Sequence, residues 1–373
     1  MRARSRPVSA GRSVPVRFGP RCPHCGLTAL GLALCLLATS GASLHSRAAE
    51  DEALRRGIAL FRQGDVRAAE PLLREAAESN PEDPRSRFYL GQLLLTQHRL
   101  AEAEKYLEKS LELRPDYAPL QYALAHLYVE QDRLTLALKA ARRALDLAPD
   151  SVQNHLQAAV VLKKLGRPRE AVPHFSQVIT LGASSEKMAY EAAVGLFDTR
   201  EYPDATMGFE ATIKFNPRNQ RALDFLGACY RLKGWNEKAY EVYRRVLAID
   251  PQDAIAYYGM GVIHAKRGET ELAIPMLERS LAIDPDNGYA HYKLGKLRLQ
   301  EGKTEEAVRF FERALELRPG LNNVRYNLGL AYLRLGDEKR GREALARFRE
   351  LKAKEPTEMF EGGVRTAIPE DAL

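Results

Sequence analysis

From residue 50 onward, apolar residues recur three and four positions apart, in runs of about three helical turns broken by short polar stretches. One run places Leu294, Leu297 and Leu299 on one helix, and after a glycine turn Phe310, Phe311, Ala314 and Leu315 on the next. The runs themselves repeat. Aligning Gly261, Gly295 and Gly329 gives a spacing of 34. Extended without gaps, that frame yields nine units starting at 50, 84, 118, 152, 186, 220, 254, 288 and 322, filling 50–355. The pattern predicts an all-α chain of nine helix–turn–helix units.

Four columns explain the period. Position eight is small throughout: Gly57, Gly91, Ala125, Ala159, Ala193, Gly227, Gly261, Gly295 and Gly329. Position twenty is small as well: Ala69, Ala103, Ala137, Ala171, Ala205, Ala239, Ala273, Ala307 and Gly341. Small side chains let two helices approach. Proline at position thirty-two (Pro81, Pro115, Pro149, Pro217, Pro251, Pro285, Pro319) ends the second helix at a fixed place. Glycine at position fifteen (Gly64, Gly166, Gly234, Gly268, Gly302, Gly336) turns the chain between the helices. Each pair keeps an apolar face that only a neighbouring pair can cover.

This pattern resembles the tetratricopeptide repeat family. The family signature of a large residue near position four or five, small at eight and twenty, aromatic at twenty-four and proline at thirty-two runs through the array. Repeat seven carries much of it in Tyr257, Met260, Gly261, Ala273 and Pro285. The resemblance spans about 306 of the 373 residues. It implies a right-handed α-solenoid of antiparallel helix pairs, with the first helices lining a concave groove where partners bind.

The departures are local. Ala183 stands where proline is expected, and Gly182-Ala183-Ser184-Ser185 reads as a flexible joint. Repeat five has Arg200 in place of the turn glycine and Pro203 early in its second helix. Repeat nine ends in a highly charged helix, Glu338 to Glu355, suited to capping the array. Residues 356–373 read as a loose tail.

The N-terminus changes how the charge is understood. The chain carries a formal net charge of +7, but residues 1–49 hold seven arginines, no lysine and no acid. Beyond residue 50 the two signs nearly cancel, which argues against a nucleic-acid partner. Within the leader, 26–44 is free of charge, with the apolar core Leu27–Ala38 and small residues after it. A basic start, a short apolar run and a small-residue exit read as a secretory signal peptide cleaved after Ala42 or Ala48. The alternatives are an uncleaved membrane anchor over 26–44, a transit peptide and a lipoprotein. Export then places the protein in the periplasm or outside the cell. Three of the four cysteines (Cys22, Cys25, Cys35) lie in the leader, leaving Cys229 as the remaining thiol.

Motifs that look like chemistry fit the repeat frame better. Cys22-Pro23-His24-Cys25 is a CxxC without the strand–helix context that depresses a thiol pKa. Gly302-Lys303-Thr304 resembles the end of a phosphate-binding loop, yet Leu297 stands where its first glycine belongs and the three residues occupy turn positions fifteen to seventeen. His98, His126, His155, His174, His264 and His291 form no HExxH and no close pair at metal-ligand spacing. His264 and Cys229 fall on core columns. No cofactor, metal or catalytic constellation is expected.

The resemblance directs attention to the groove. Position five reads Leu54, Phe88, Tyr122, Leu156, Tyr190, Asp224, Tyr258, Tyr292 and Tyr326, a mostly aromatic ladder suited to gripping peptide. Other groove columns carry Lys163, Lys164, Lys187, Arg221 and Arg231 in the middle, then Lys293, Lys296 and Arg334. Acids there are few: Asp51, Glu130, Glu191 and Asp198. Such a surface suits an extended or acidic peptide. Two known family modes, the carboxylate clamp and the asparagine ladder, lack their residues; Asn327 is the sole asparagine at position six. The expectation is an exported, non-enzymatic scaffold for a protein or peptide partner in assembling an envelope complex. The alternatives are an accessory docking subunit of an enzyme or a self-associating architectural protein; oligomeric state is left open.

Overall fold

The computed structural model describes residues 52–354. The leader with its cleavage or anchor segment, the CxxC and the tail lie outside the described residues. Among the described residues the chain is all-helical, with 18 helices and no strand. It divides into two units, 1–81 and 82–373. In the first, a helix over 52–62 pairs with Val66–Ser79. In the second, the first helices begin at Pro84, Ala118, Val152, Glu186, Gln220, Ala254, Gly288 and Asn322, the same residues at which the sequence frame starts. The second helices begin at Leu100, Leu134, Pro168, Tyr202, Asn236, Thr270, Thr304 and Glu338. Consecutive pairs stack, so the unit is an α-solenoid of helix–turn–helix repeats with its core running along the stack.

The columns show how each pair closes. A Cβ added to Gly91 would sit 2.7 Å from the Leu107 side chain, and one on Gly261 would sit 2.8 Å from Leu277 Cγ and 3.2 Å from the Ala273 carbonyl. Position eight is therefore small to let a large side chain at position twenty-four lie across it. Position-twenty alanines, from Ala69 to Ala307, are fully buried. Serines at position twenty-seven tie the pair together: Ser110 and Ser280 each donate to the carbonyl opening their repeat, Pro84 and Ala254, at 2.9 Å.

Position fifteen is left-handed in every repeat, glycine or not. His98 (φ 57°), Asp132 (φ 57°) and Arg200 (φ 68°) adopt it alongside Gly64, Gly166, Gly234, Gly268, Gly302 and Gly336. Stacking imposes the turn, and three residues bear the strain of a Cβ there. Gly302 is thus a turn residue, and Thr304 opens a helix. Helix starts are capped from the last position of the preceding repeat, a signal the column reading passed over. Asp83, Ser151, Ser185, Asn219, Asp253 and Asn287 accept from backbone N–H groups in the first turn.

The 182–186 stretch closes as a defined turn, with Gly182 at φ 88° and the Ser185 hydroxyl accepting from Met188 N at 3.3 Å. Pro203 sits in the first turn of its helix, where its missing N–H costs nothing. Of the final helix only Gly341 is buried among the described side chains, consistent with a polar cap.

Candidate functional site

The first helices of repeats four to six converge on a groove enclosing about 990 Å³. Its wall is made of the columns that share one helical face: Lys187 and Arg221 at position two, Tyr190 and Asp224 at five, Glu191 and Phe225 at six, Val160 and Val194 at nine, Lys163 at twelve, Lys164 and Asp198 at thirteen. Later repeats add Ile255, Tyr289, Asp284, Asp286, Asn287 and Arg318.

Aromatic packing beneath this wall is dense. Phe209 and Phe225 stack with centroids 5.2 Å apart, and Phe197 meets Phe225 edge-on at 5.0 Å. Tyr190 stands edge-on to both Phe209 and Phe225. Rings held this way present a rigid apolar surface that loses little entropy on binding.

The polar groups divide into paired and unpaired. Lys163 Nζ is 2.6 Å from Asp198, so this lysine is already committed. Burial nevertheless pushes the Asp198 carboxyl above its usual range. Among the described residues Lys164, Lys187 and Arg221 form no ion pair, and all three are exposed. Asp224 is 6% exposed and its Oδ1 has no partner. Burial, reinforced by Asp253 and Asp250, raises its carboxyl to about 8, so near neutral pH it is mostly a protonated hydrogen-bond donor.

The rest of the expected site is scattered. Lys163, Lys187, Tyr190 and Arg221 meet in the cavity. Tyr122 is half-buried nearby, with Glu191 close enough to raise its hydroxyl. Phe88 and Tyr258, expected to line the groove, are core residues, 3% and 1% exposed. Position five is covered by packing between helices: Tyr117, the last residue of the same repeat, packs on Phe88 at 5.2 Å, and Tyr258 belongs to a core cluster that continues into Tyr289 and Ala290 of the next repeat. Arg231, also expected in the groove, is buried at 3%. Tyr292 is half-buried and accepts from Asn327 Nδ2 at 3.2 Å, with Lys293 and Lys296 alongside. Tyr326 is exposed against Phe348.

Two histidines that sequence spacing kept apart do meet. His155 and His174 face each other Nδ1 to Nδ1 at 3.1 Å, and His155 Nε2 contacts the Pro149 carbonyl at 2.7 Å. They lie 19 residues apart, on the two helices of one repeat, which no local motif reveals. Burial, then His155 and Arg142, holds His174 below its usual pKa. His264 is buried as its column implies, and contacts Glu269 at 2.5 Å. Cys229 is fully buried, and burial pushes its thiol up to about 12, leaving it unreactive. Among the described residues no group of three or more His, Cys, Asp or Glu is placed to hold a metal ion. No described helix is long and apolar enough to cross a membrane.

Comparison with known proteins gives the same architecture. Tetratricopeptide repeat family models match residues 54–118, 252–320, and both 94–160 and 298–358; a further TPR repeat model matches 227–268. No curated protein matches. Among solved structures, pilF of Pseudomonas aeruginosa is 19% identical, with 60% of this chain and 99% of that chain covered at a TM-score of 0.48. YrrB, described as a TPR protein with an unusual peptide-binding site, is 22% identical, covering 62% and 97%, at 0.34. TTC0263, a thermophilic TPR protein of Thermus thermophilus, is 21% identical, covering 49% and 99%, at 0.41. With its period, its helix pairs and the family matches at both ends of the array, the chain belongs to the tetratricopeptide repeat family, whose members typically mediate protein–protein interactions.

Proposed function

We propose that the chain is an exported, non-enzymatic scaffold that binds a protein or peptide segment in the groove of repeats four to six, in the assembly of an envelope complex. One observation carries this reading: a cavity of about 990 Å³ lined by successive first helices, with a rigid aromatic floor and an exposed cationic rim at Lys164, Lys187 and Arg221. A lining of that size and polarity suits peptide side chains. The leader pattern supports export.

The groove is tested with peptides selected by display against the full chain. Lys187→Glu with Arg221→Glu, both surface changes, should weaken their binding about tenfold or more while leaving the thermal melt in place. Undiminished binding would remove the groove as the site. For export, mass analysis of the native N-terminus should find a start near Ser43 or Ala49.

A further inference from the structure

Beyond the cavity, the first helices of repeats six to eight bring together four cations. Arg231 stands at position twelve of repeat six, Lys266 at thirteen of repeat seven, Lys293 and Lys296 at six and nine of repeat eight. Lys266 is the member that column reading missed. The ammonium groups of Lys293 and Lys296 each lie 5.9 Å from the centre of the Tyr292 ring. Burial first, then Lys296, Arg231 and Lys266, lowers Lys293 to about 8. Burial and Arg231 lower Lys266 as well.

Among the described residues none of the four forms an ion pair. Two buried polar atoms also lack partners. Arg231 is 3% exposed; its guanidinium hydrogen-bonds the Tyr243 hydroxyl, but its Nε makes no hydrogen bond, and Tyr258, 1% exposed and within electrostatic reach of that guanidinium, has an unpartnered hydroxyl. A buried guanidinium beside other cations is costly unless an anion joins it.

We propose that this cluster is a second subsite of the groove, taking the side-chain carboxylates of an acidic segment in the bound partner. The inference rests on the groove reading and adds the chemistry of the partner. Charge complementarity selects the occupant, and the spread of the cations over three successive helices suits several carboxylates on an extended chain. The subsite adjoins the cavity, because Asp224 and Arg231 lie on one helix, seven residues and about 10 Å apart. An extended peptide advances about 3.3 Å per residue. A segment seated in the cavity therefore carries its acidic residues roughly three or more positions further along.

The test is fluorescence anisotropy with the full chain and an N-acetylated, C-amidated probe of about a dozen residues, a reach of roughly 40 Å. The probe carries interspersed glutamates and tyrosines, and its control has glutamine for each glutamate. The glutamate probe should bind about tenfold tighter than the control, and the preference should shrink with salt. Lys293→Gln with Lys296→Gln should abolish the preference without moving the melt. Equal binding of the two probes overturns the proposal, as does affinity that appears only with a free C-terminal carboxylate. A preference that survives in the Lys293/Lys296 variant but is lost in the Lys187/Arg221 variant overturns this subsite and leaves the groove reading standing. Insensitivity to both pairs overturns both.

Discussion

Repeats seven to nine and repeats four and five share one period but place their glycines differently against the large side chains. In the later repeats glycine at position eight lies under the large residue at twenty-four of the same repeat: Gly261 under Leu277, Gly295 under Phe311, Gly329 under Leu345. In repeats four and five position eight is alanine (Ala159, Ala193), position twenty-four is phenylalanine (Phe175, Phe209), and the close approaches fall on glycines elsewhere in the repeat. A Cβ on Gly208 would meet the Ala193 methyl at 2.7 Å, and Phe175 crosses into the next repeat to lie over Gly195, where an added Cβ would be 2.3 Å from its ring. Repeat six combines the two, with Tyr243 lying over Gly227 of its own repeat and Gly259 of the next. The family models pass over 161–226, the stretch that supplies most of the cavity lining. The comparison teaches that a repeat can keep its helix boundaries while repacking its interior, and that the repacked stretch is where a groove opens.

The largest effect should separate the two packings. Phe175→Ala removes a ring shared by two repeats and should cost about 3–5 kcal/mol in urea unfolding. Leu277→Ala, on the same column of repeat seven, should cost less, about 2–3 kcal/mol. A milder effect at Phe175 would mean that the inter-repeat wedge adds nothing and the contrast fails.

Next in size is Asp224, on a column where repeats seven to nine have tyrosine. Its folded carboxyl is raised from 3.8 to about 8, so the folded chain holds a proton that the unfolded chain releases. Stability therefore falls as pH rises from about 4 to about 8, and the penalty is fully present above that. Asp224→Asn should leave the melt nearly unchanged at low pH and raise it above pH 8, by about 1–3 kcal/mol. A gain independent of pH would show that the buried charge is not the cause.

The smallest effect concerns the turn. Arg200→Gly should stabilise by about 0.5–1 kcal/mol, because glycine adopts the left-handed backbone without strain. The later repeats already have glycine there, at Gly268, Gly302 and Gly336. No gain at Arg200 would mean that repeat five makes the turn without penalty.

Much of the architecture was readable in the chain. Small residues at eight and twenty and proline at thirty-two placed each first helix from Pro84 to Asn322 at its observed start. The site was readable in part. Lys163, Lys187, Tyr190 and Arg221 follow from helical faces, since residues three, four and seven apart share a side. Burial did not follow, because cover comes from other helices: Phe88, Tyr258 and Arg231 occupy groove columns and lie inside. Nor did pairing, as the Lys163–Asp198 bridge and the His155–His174 contact each join two helices.

By itself, then, the sequence determined the repeat, its boundaries and the face that each first helix turns inward. These depend on backbone propensity and on small residues at fixed spacing, which act within one helix pair. Only the tertiary structure decided which of those inward residues remain open, which charges are already matched, and which buried groups stand without a partner. Those properties depend on the size and reach of side chains on neighbouring helices, within a repeat and across to the next, and a one-dimensional period does not contain them.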